Sequence, residues 1–459
     1  MNAEVAVIKT AAETALAQAF AQARDRLPGD EAIMARRNAA FDLFAKQGLP
    51  HRRIEEWKYT DLRALMRDAK PLASPPDASA KARAKDAGRV LGDLDARRLV
   101  FVDGAFVPEL SDLRELEAGL VVGSLAQALA DADPVVAARL GKLAPASDAA
   151  VALNTALMGD GAVIRVASGA TIERPLHLLF VASEKPAATF TRSLVTIDHG
   201  ARVMLIESHE GPTASDYQVN AALELFVGDG AHVDHVKVIG EGTEALHVST
   251  LAAAIGAHAR FNTFSFISGG SLVRNQLFLR LDGEGTVAGI RGASLLKDRQ
   301  HADTTLFADH IARDCQSREM FKSVLDNEAH GVFQGRIIVR RHAQKTDAKM
   351  MTQALLLSER AEADNKPELE IFADDVQCGH GATAGALDEE LKFYLMARGI
   401  PPAEAEAMLI QAFLGEAIEG IEHAGLREAL IESIAAWLGA RVGSGRSSFE
   451  AGYRLRMTD

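Results

Sequence analysis

Cysteine is scarce in this chain, with only Cys315 and Cys378 among 459 residues. Two thiols exclude a disulfide framework and fit a reducing cytoplasm. No run approaches eighteen consecutive apolar residues, so no membrane span is expected. The start, "MNAEVAVIKTAAETALAQAFAQARDRLPGD", lacks a basic segment leading into an apolar core and a small-residue cleavage site, so it does not read as a secretion signal. It predicts an Ala-rich helix ended by Pro28-Gly29 instead. Positive charge is also short: a net charge of −13 argues against general binding to nucleic acid or anionic membranes. The common enzyme signatures are missing. There is no G-x-x-x-x-G-K-[ST] phosphate cradle, no G-x-S-x-G elbow, no H-E-x-x-H, no C-x-x-C and no EF-hand loop.

What is present is the composition of a globular protein, 48% hydrophobic and 25% charged. The length exceeds one ordinary core, so several domains are expected unless a repeat carries much of the chain. Residues 1–65 read as helical, with Trp57 in a charged segment and Thr60 placed to cap the next turn. "DAKPLASPPDASAKARAKDAGR" (68–89) reads as a mobile linker or long surface loop. "LVFVDGAFVPELS" (99–111) sets two apolar runs around Asp103-Gly104 and predicts a hairpin. Helical patterns return from 112 to about 158.

From Gly159 to about 380 the character changes to short runs of Val, Ile, Leu, Phe and Thr between Gly turns, with proline almost absent. The phrases "GATIERPLHL", "GARVMLIESH", "GAHVDHVKVI", "GAHARFNTFS" and "GTVAGIRGAS" recur. They begin at Gly169, Gly200, Gly230, Gly256 and Gly285, which sets a period near thirty. Strands at that period predict a stacked β-helix, with a β-sandwich as the plainer alternative. After 386 helices resume. Pro401-Pro402 opens one whose apolar stripe is Ile410, Phe413, Leu414, Ala417, Ile418 and Ile421. Leu430, Ile434, Trp437 and Leu438 form a second stripe, and the Gly/Ser/Arg-rich tail from 439 is expected to fray. The domain expectation is therefore a helical segment with linker and hairpin at 1–150, a β-helix at 151–383 and a helical domain at 384–459.

Few residues look chemical. The G-x-G of "GDGAVIRVASG" falls in the strand repeat and reads as a coil turn. His232 and His235 lie three apart, which puts them on opposite faces of a strand and separates them as ligands. Asp374-Asp375 reads as a solvated face, and Cys315 as a buried thiol packing as a small hydrophobe. Cys378 and His380, in "ADDVQCGHGATAGALDEE", differ because i and i+2 in an extended segment share a side. A thiolate beside an imidazole suits iron, zinc or copper. Spacing alone leaves the pair open between packing and ligation. As ligands they are incomplete, which suggests a site completed by another chain.

"PELEIFADDVQCGHGATAGALDEELKFYLMARGI" (367–400) resembles the C-terminal signature of the SufB/SufD family of the SUF iron–sulfur cluster assembly system, on its SufD side. "RRIEEWKYTDLRAL" (52–65) and "LVFVDGAFVPELS" (99–111) resemble further segments of it, in the same order along nearly the whole chain. SufB-like members carry a functional cysteine in a segment like "TQCDSLLIG"; the matching stretch here is "MMTQALLLSER" (350–360), with Ala354 at that position. They also tend to read "VEHEAT" where this chain has "CGHGAT". The resemblance implies a right-handed parallel β-helix between helical ends and a non-enzymatic scaffold. Such a scaffold pairs with SufB through the β-helix and docks the ATPase SufC on its C-terminal helices. It implies His380, and Cys378 beside it, as metal-associated residues near the interface. No cofactor would be tightly bound in the isolated chain. Iron or a nascent cluster would be shared transiently with SufB, and ATP would sit only on SufC. The isolated chain, with unpaired strands at an edge, is expected to form a homodimer. The competing readings are a SufB-like cluster host and, from another class, a β-helix enzyme acting on carbohydrate. The second would need clustered catalytic residues along one face of the coil, and the sequence shows none.

Overall fold

The computed structural model describes residues 9–88, 91 and 94–443. The first eight residues of the expected N-terminal helix and residues 444–459 of the tail expected to fray from 439 lie outside the described residues, while 439–443 continue helix Ala424–Gly443. From Ala162 to Ala386 successive strands fall alternately on two parallel sheets, so each coil of chain gives one strand to each. Roughly eight coils stack this way, forming a parallel β-helix. Most strands are nine or ten residues long, fewer and longer per coil than the Gly-turn spacing suggests.

The turns explain the repeat. Gly169, Gly200, Gly230 and Gly285 all sit at positive φ (66° to 70°) where one sheet hands the chain to the other. That left-handed backbone costs an L-residue roughly 1–2 kcal/mol and costs glycine nothing. Gly256 is a correction. It lies two residues before the left-handed position of its coil, which His258 fills at φ 54°; Gly256 is needed because a Cβ there would meet Asp229 Oδ1 at 2.4 Å. The rhythm then continues through Asp314 and Lys345, also at positive φ, where no glycine marks it.

Inside the coil, residues of alternate parity stack in register. Val203, Val233, Phe261 and Ala288 form one ladder, and Leu223, Leu251, Leu277 and Leu306 face it from the other sheet. The outward faces are covered too, which is why these strands read as near-continuous apolar runs. Helices Ala11–Ala23, Glu31–Gln47 and Ala149–Leu157 lie with Trp57 and Leu62 over the nine-stranded sheet, against Phe190, Val248 and Leu272. Helices Pro402–Ile418 and Ala424–Gly443 press the two expected stripes onto the ten-stranded sheet, against Val236, Phe264, Ala293 and Val324.

Asp103 and Gly104, both at positive φ, make the expected hairpin between Arg97–Val102 and Ala105–Phe106, and Arg97–Val102 joins the ten-stranded sheet in parallel beside Leu176–Val181. Two readings change. The expected linker 68–89 is not free over its described residues, 68–88. Leu72 bridges to Ala188, and helix Ala78–Ala84, capped by Asp77, buries Ala80 and Ala84 against Val100, Val107 and Leu179. Alanines four apart make an apolar stripe too slight to stand out in a Pro- and Lys-rich stretch. Thr60 does not cap a helix. Asp61 accepts from Ala64 N at 3.0 Å in that role, and the Thr60 hydroxyl is buried against Asp303 and His301. Among the described residues no helix is long and apolar enough to cross a membrane.

Candidate functional site

The two ends of the stack differ. At the N-terminal end, antiparallel pairs close each sheet, Ala105–Phe106 on one and Leu120–Ser124 on the other. At the far end the last strands, Glu362–Ile371 and Gln377–Ala386, have no outer neighbour among the described residues. An edge leaves backbone N–H and C=O groups free to pair with another chain. Gln377–Ala386 is rich in Gly and Ala, and most of it is exposed. Gly379 and Gly385 have nothing within 4 Å of where a Cβ would stand. A small-residue edge of this kind lets another backbone approach closely.

Cys378 and His380 lie on this strand. Cys378 pairs in register with Ala348 and His380 with Met350, both buried members of the interior core. The two candidates therefore share the interior face at the open mouth of the coil. Cys378 is half-buried against the core, whereas His380 is exposed. Burial pushes the Cys378 thiol above its ordinary value, and the negative charges of Asp347 and Glu319 push it further. A thiol so placed stays protonated and is a poor ligand until a cation arrives. Among the described residues no other His, Cys, Asp or Glu joins them in a three-ligand group. The other sequence candidates separate from them. His232 stands on the outer face beside Asp234, while His235 is buried inside the coil against Glu207 and Thr263, so they are not joint ligands. Asp374 and Asp375 are exposed, and Asp375 pairs with Lys345. Cys315 is fully buried in the core with Sγ 3.2 Å from the Gly283 carbonyl oxygen.

One member of the site gave no signal in the sequence. Glu319 lies two strands inward in the row Glu319, Met350, His380. It is buried, and neither carboxylate oxygen has a hydrogen-bond partner. The neighbouring Ser317 hydroxyl is taken by His310 Nε2 at 2.9 Å. Burial pushes Glu319 from its ordinary 4.5 up to about 7. The folded chain thus holds this proton where the unfolded chain has lost it. The associated stability is fully present below the unfolded value and is lost as pH rises through about 7. Glu319→Gln should remove that loss. We expect urea denaturation to show the variant up to about 3 kcal/mol more stable than wild type above pH 7, with the two equal near pH 4. Parallel pH profiles for the two proteins would disprove the assignment.

Comparison with known proteins converges on one family. Residues 180–413 match the family described as SUF system FeS cluster assembly, SufBD core domain, and residues 10–178 match the SufBD protein N-terminal region. The chain is 32% identical to the iron–sulfur cluster assembly protein SufD of Escherichia coli, over 85% of this chain and 89% of that one. It is 31% identical to an iron–sulfur cluster assembly SufBD family protein of Synechocystis, over 88% and 91%. The SufD of Bacillus subtilis is 26% identical over 62% of this chain and 65% of its own.

Proposed function

This chain belongs to the SufBD family of iron–sulfur cluster assembly proteins, and from that membership we propose that it is a non-enzymatic scaffold subunit of the SUF complex, working in the cytoplasm. The observation that carries the reading is the open edge strand Gln377–Ala386, with an incomplete ligand pair on its inner face. A SufB partner would add its own strand to that edge by main-chain hydrogen bonds and bring the missing ligands with it. Iron, or a nascent cluster, is then cargo held between two chains, with His380 as this chain's principal ligand and Cys378 as its neighbour. Ala354, at the position where SufB-like chains carry a cysteine, faces the coil interior and offers no thiol. That supports the SufD role over that of a chain hosting a cluster alone. In the absence of SufB, the same edge pairs two copies of this chain.

The ATPase partner, SufC, needs a different surface. Helix Glu389–Met396 follows the edge strand directly and buries none of its residues. Leu391, Phe393, Tyr394 and Met396 all face solvent. Four exposed apolar side chains gathered on one short helix mark a protein-binding surface, and we assign it to SufC.

A tagged chain purified from its own cells should bring down an ATP-binding-cassette ATPase and a second β-helix chain. Within that complex, His380→Ala should leave folding and subunit stoichiometry unchanged while lowering cluster yield at least tenfold in anaerobic reconstitution. Normal maturation of iron–sulfur enzymes by the variant would end the metal role of His380. A homo-oligomer recovered without any ATPase would end the scaffold reading.

A further inference from the structure

Far from the open edge, three buried side chains converge inside the early coils. His209, on strand Arg202–Glu210, and His247, on strand Leu246–Ile255, meet across the interior from opposite sheets with ring centroids 4.7 Å apart, edge to face. Glu241 joins them from the turn before Leu246. One donor atom of each residue lies within 4.8 Å of the other two, and all three are buried. The carboxylate is held on both sides. Its Oε1 is 2.9 Å from His247 Nδ1, and its Oε2 accepts from the Tyr217 hydroxyl.

Both imidazoles are left with an unused nitrogen. His247 Nε2 and His209 Nε2 are buried without a hydrogen-bond partner. Glu207 Oε1 stands 3.6 Å from His209 Nε2, beyond hydrogen-bond reach. An orphaned buried polar atom calls for an occupant. A cation held by all three would take Glu241 together with His247 Nδ1, the ring nitrogen that faces the carboxylate, in place of the hydrogen bond between them. A small pocket lined by Gly104, Phe180, Thr189 and Val219 has His209 and Glu241 in its wall.

We propose that His209, Glu241 and His247 form a divalent transition-metal site inside the β-helix, taking zinc or iron(II), separate from the edge-strand pair. Imidazole and carboxylate donors suit those ions over calcium or magnesium, and three protein donors leave a position for water or an exchanging ligand. Nothing in this site depends on the scaffold reading.

The test uses the purified full chain, stripped with a chelator and titrated with cobalt(II) alone. Equilibrium dialysis should give one tightly held cobalt per chain, with visible ligand-field absorption. His232→Gln, on the outer face beside Asp234, should bind identically. The double variant His209→Asn, His247→Gln should retain less than a tenth of the metal. Wild type without stoichiometric cobalt, or a double variant that binds as wild type does, would overturn the proposal. Should the double variant fail to fold, X-ray absorption of wild-type cobalt protein decides: two imidazole ligands support the site, and none overturns it.

Discussion

Replacing Phe393 and Tyr394 together by aspartate is expected to abolish capture of the ATPase while leaving the chain folded. Phe393 is 71% exposed and Tyr394 55% exposed, so neither carries the packing of its own domain. That core is built by Ile410, Leu414, Leu430 and Ile434 on the next two helices. Helix Glu389–Met396 holds itself at its start. Asp388 accepts from Glu390 N and Leu391 N, and the acidic first turn complements the helix dipole. Charges placed on the outer face therefore cost little in the free chain. In a complex they would be desolvated against an apolar surface, and the aromatic anchors would be gone. Aromatic residues at the centre of an interface each contribute about 2 kcal/mol or more, so the pair should weaken binding by roughly 10²- to 10³-fold. Affinity purification with measured subunit ratios, alongside circular dichroism, reads both halves. Undiminished ATPase with a folded variant would place SufC elsewhere. Loss of the second β-helix chain in its place would assign this helix to the strand-edge interface.

The parts of this molecule written in local chemistry were readable before its shape was known. The turns at Gly169, Gly200, Gly230 and Gly285 announce a coil because each backbone needs a conformation that favours glycine. The signal slips at Gly256 and stops at Asp314 and Lys345, since a turn that tolerates His, Asp or Lys at positive φ prints no regular residue. Cys378 and His380 share a face by strand parity alone, and so were visible as a pair. Their position at an unpaired mouth depends on how many coils stack and which strand ends the sheet, and no local pattern encodes that. Glu319 and the trio of His209, Glu241 and His247 were invisible for the same reason. Glu319 reaches the site through the register of three strands, and the trio forms only when opposite sheets close around the coil. Exposure misleads in the same way. "EELKFYLM" reads as a helix, but which of its apolar residues face water depends on how much of it helix Pro402–Ile418 covers, and none of them is buried.

The largest stability effect is expected from Asp303→Ala. Asp303 and Arg274 form an ion pair from which water is fully excluded, on the outer face of the nine-stranded sheet. The Arg274 guanidinium lies 4.4 Å over the Trp57 ring and donates to the Glu56 carbonyl at 2.7 Å, while Asp303 accepts from Thr60. Trp57 in turn donates to Asp148 at 3.0 Å, at the cap of helix Ala149–Leu157. One buried pair thus fastens the segment around residues 55–62 to the coil. Removing the carboxylate strands a guanidinium that has lost its hydration, a loss of about 3–5 kcal/mol. Arg274 and Asp303 removed together should cost less than Asp303 alone, because no charge is then left unpaired. Coils in a stack contact mainly their neighbours, so the damage should stay local. The edge strand Gln377–Ala386 should still pair with its partner under native conditions even as the denaturation midpoint falls. Urea denaturation of the single and double variants measures both points. A single variant within about 1 kcal/mol of wild type would show that the pair does not fasten this segment.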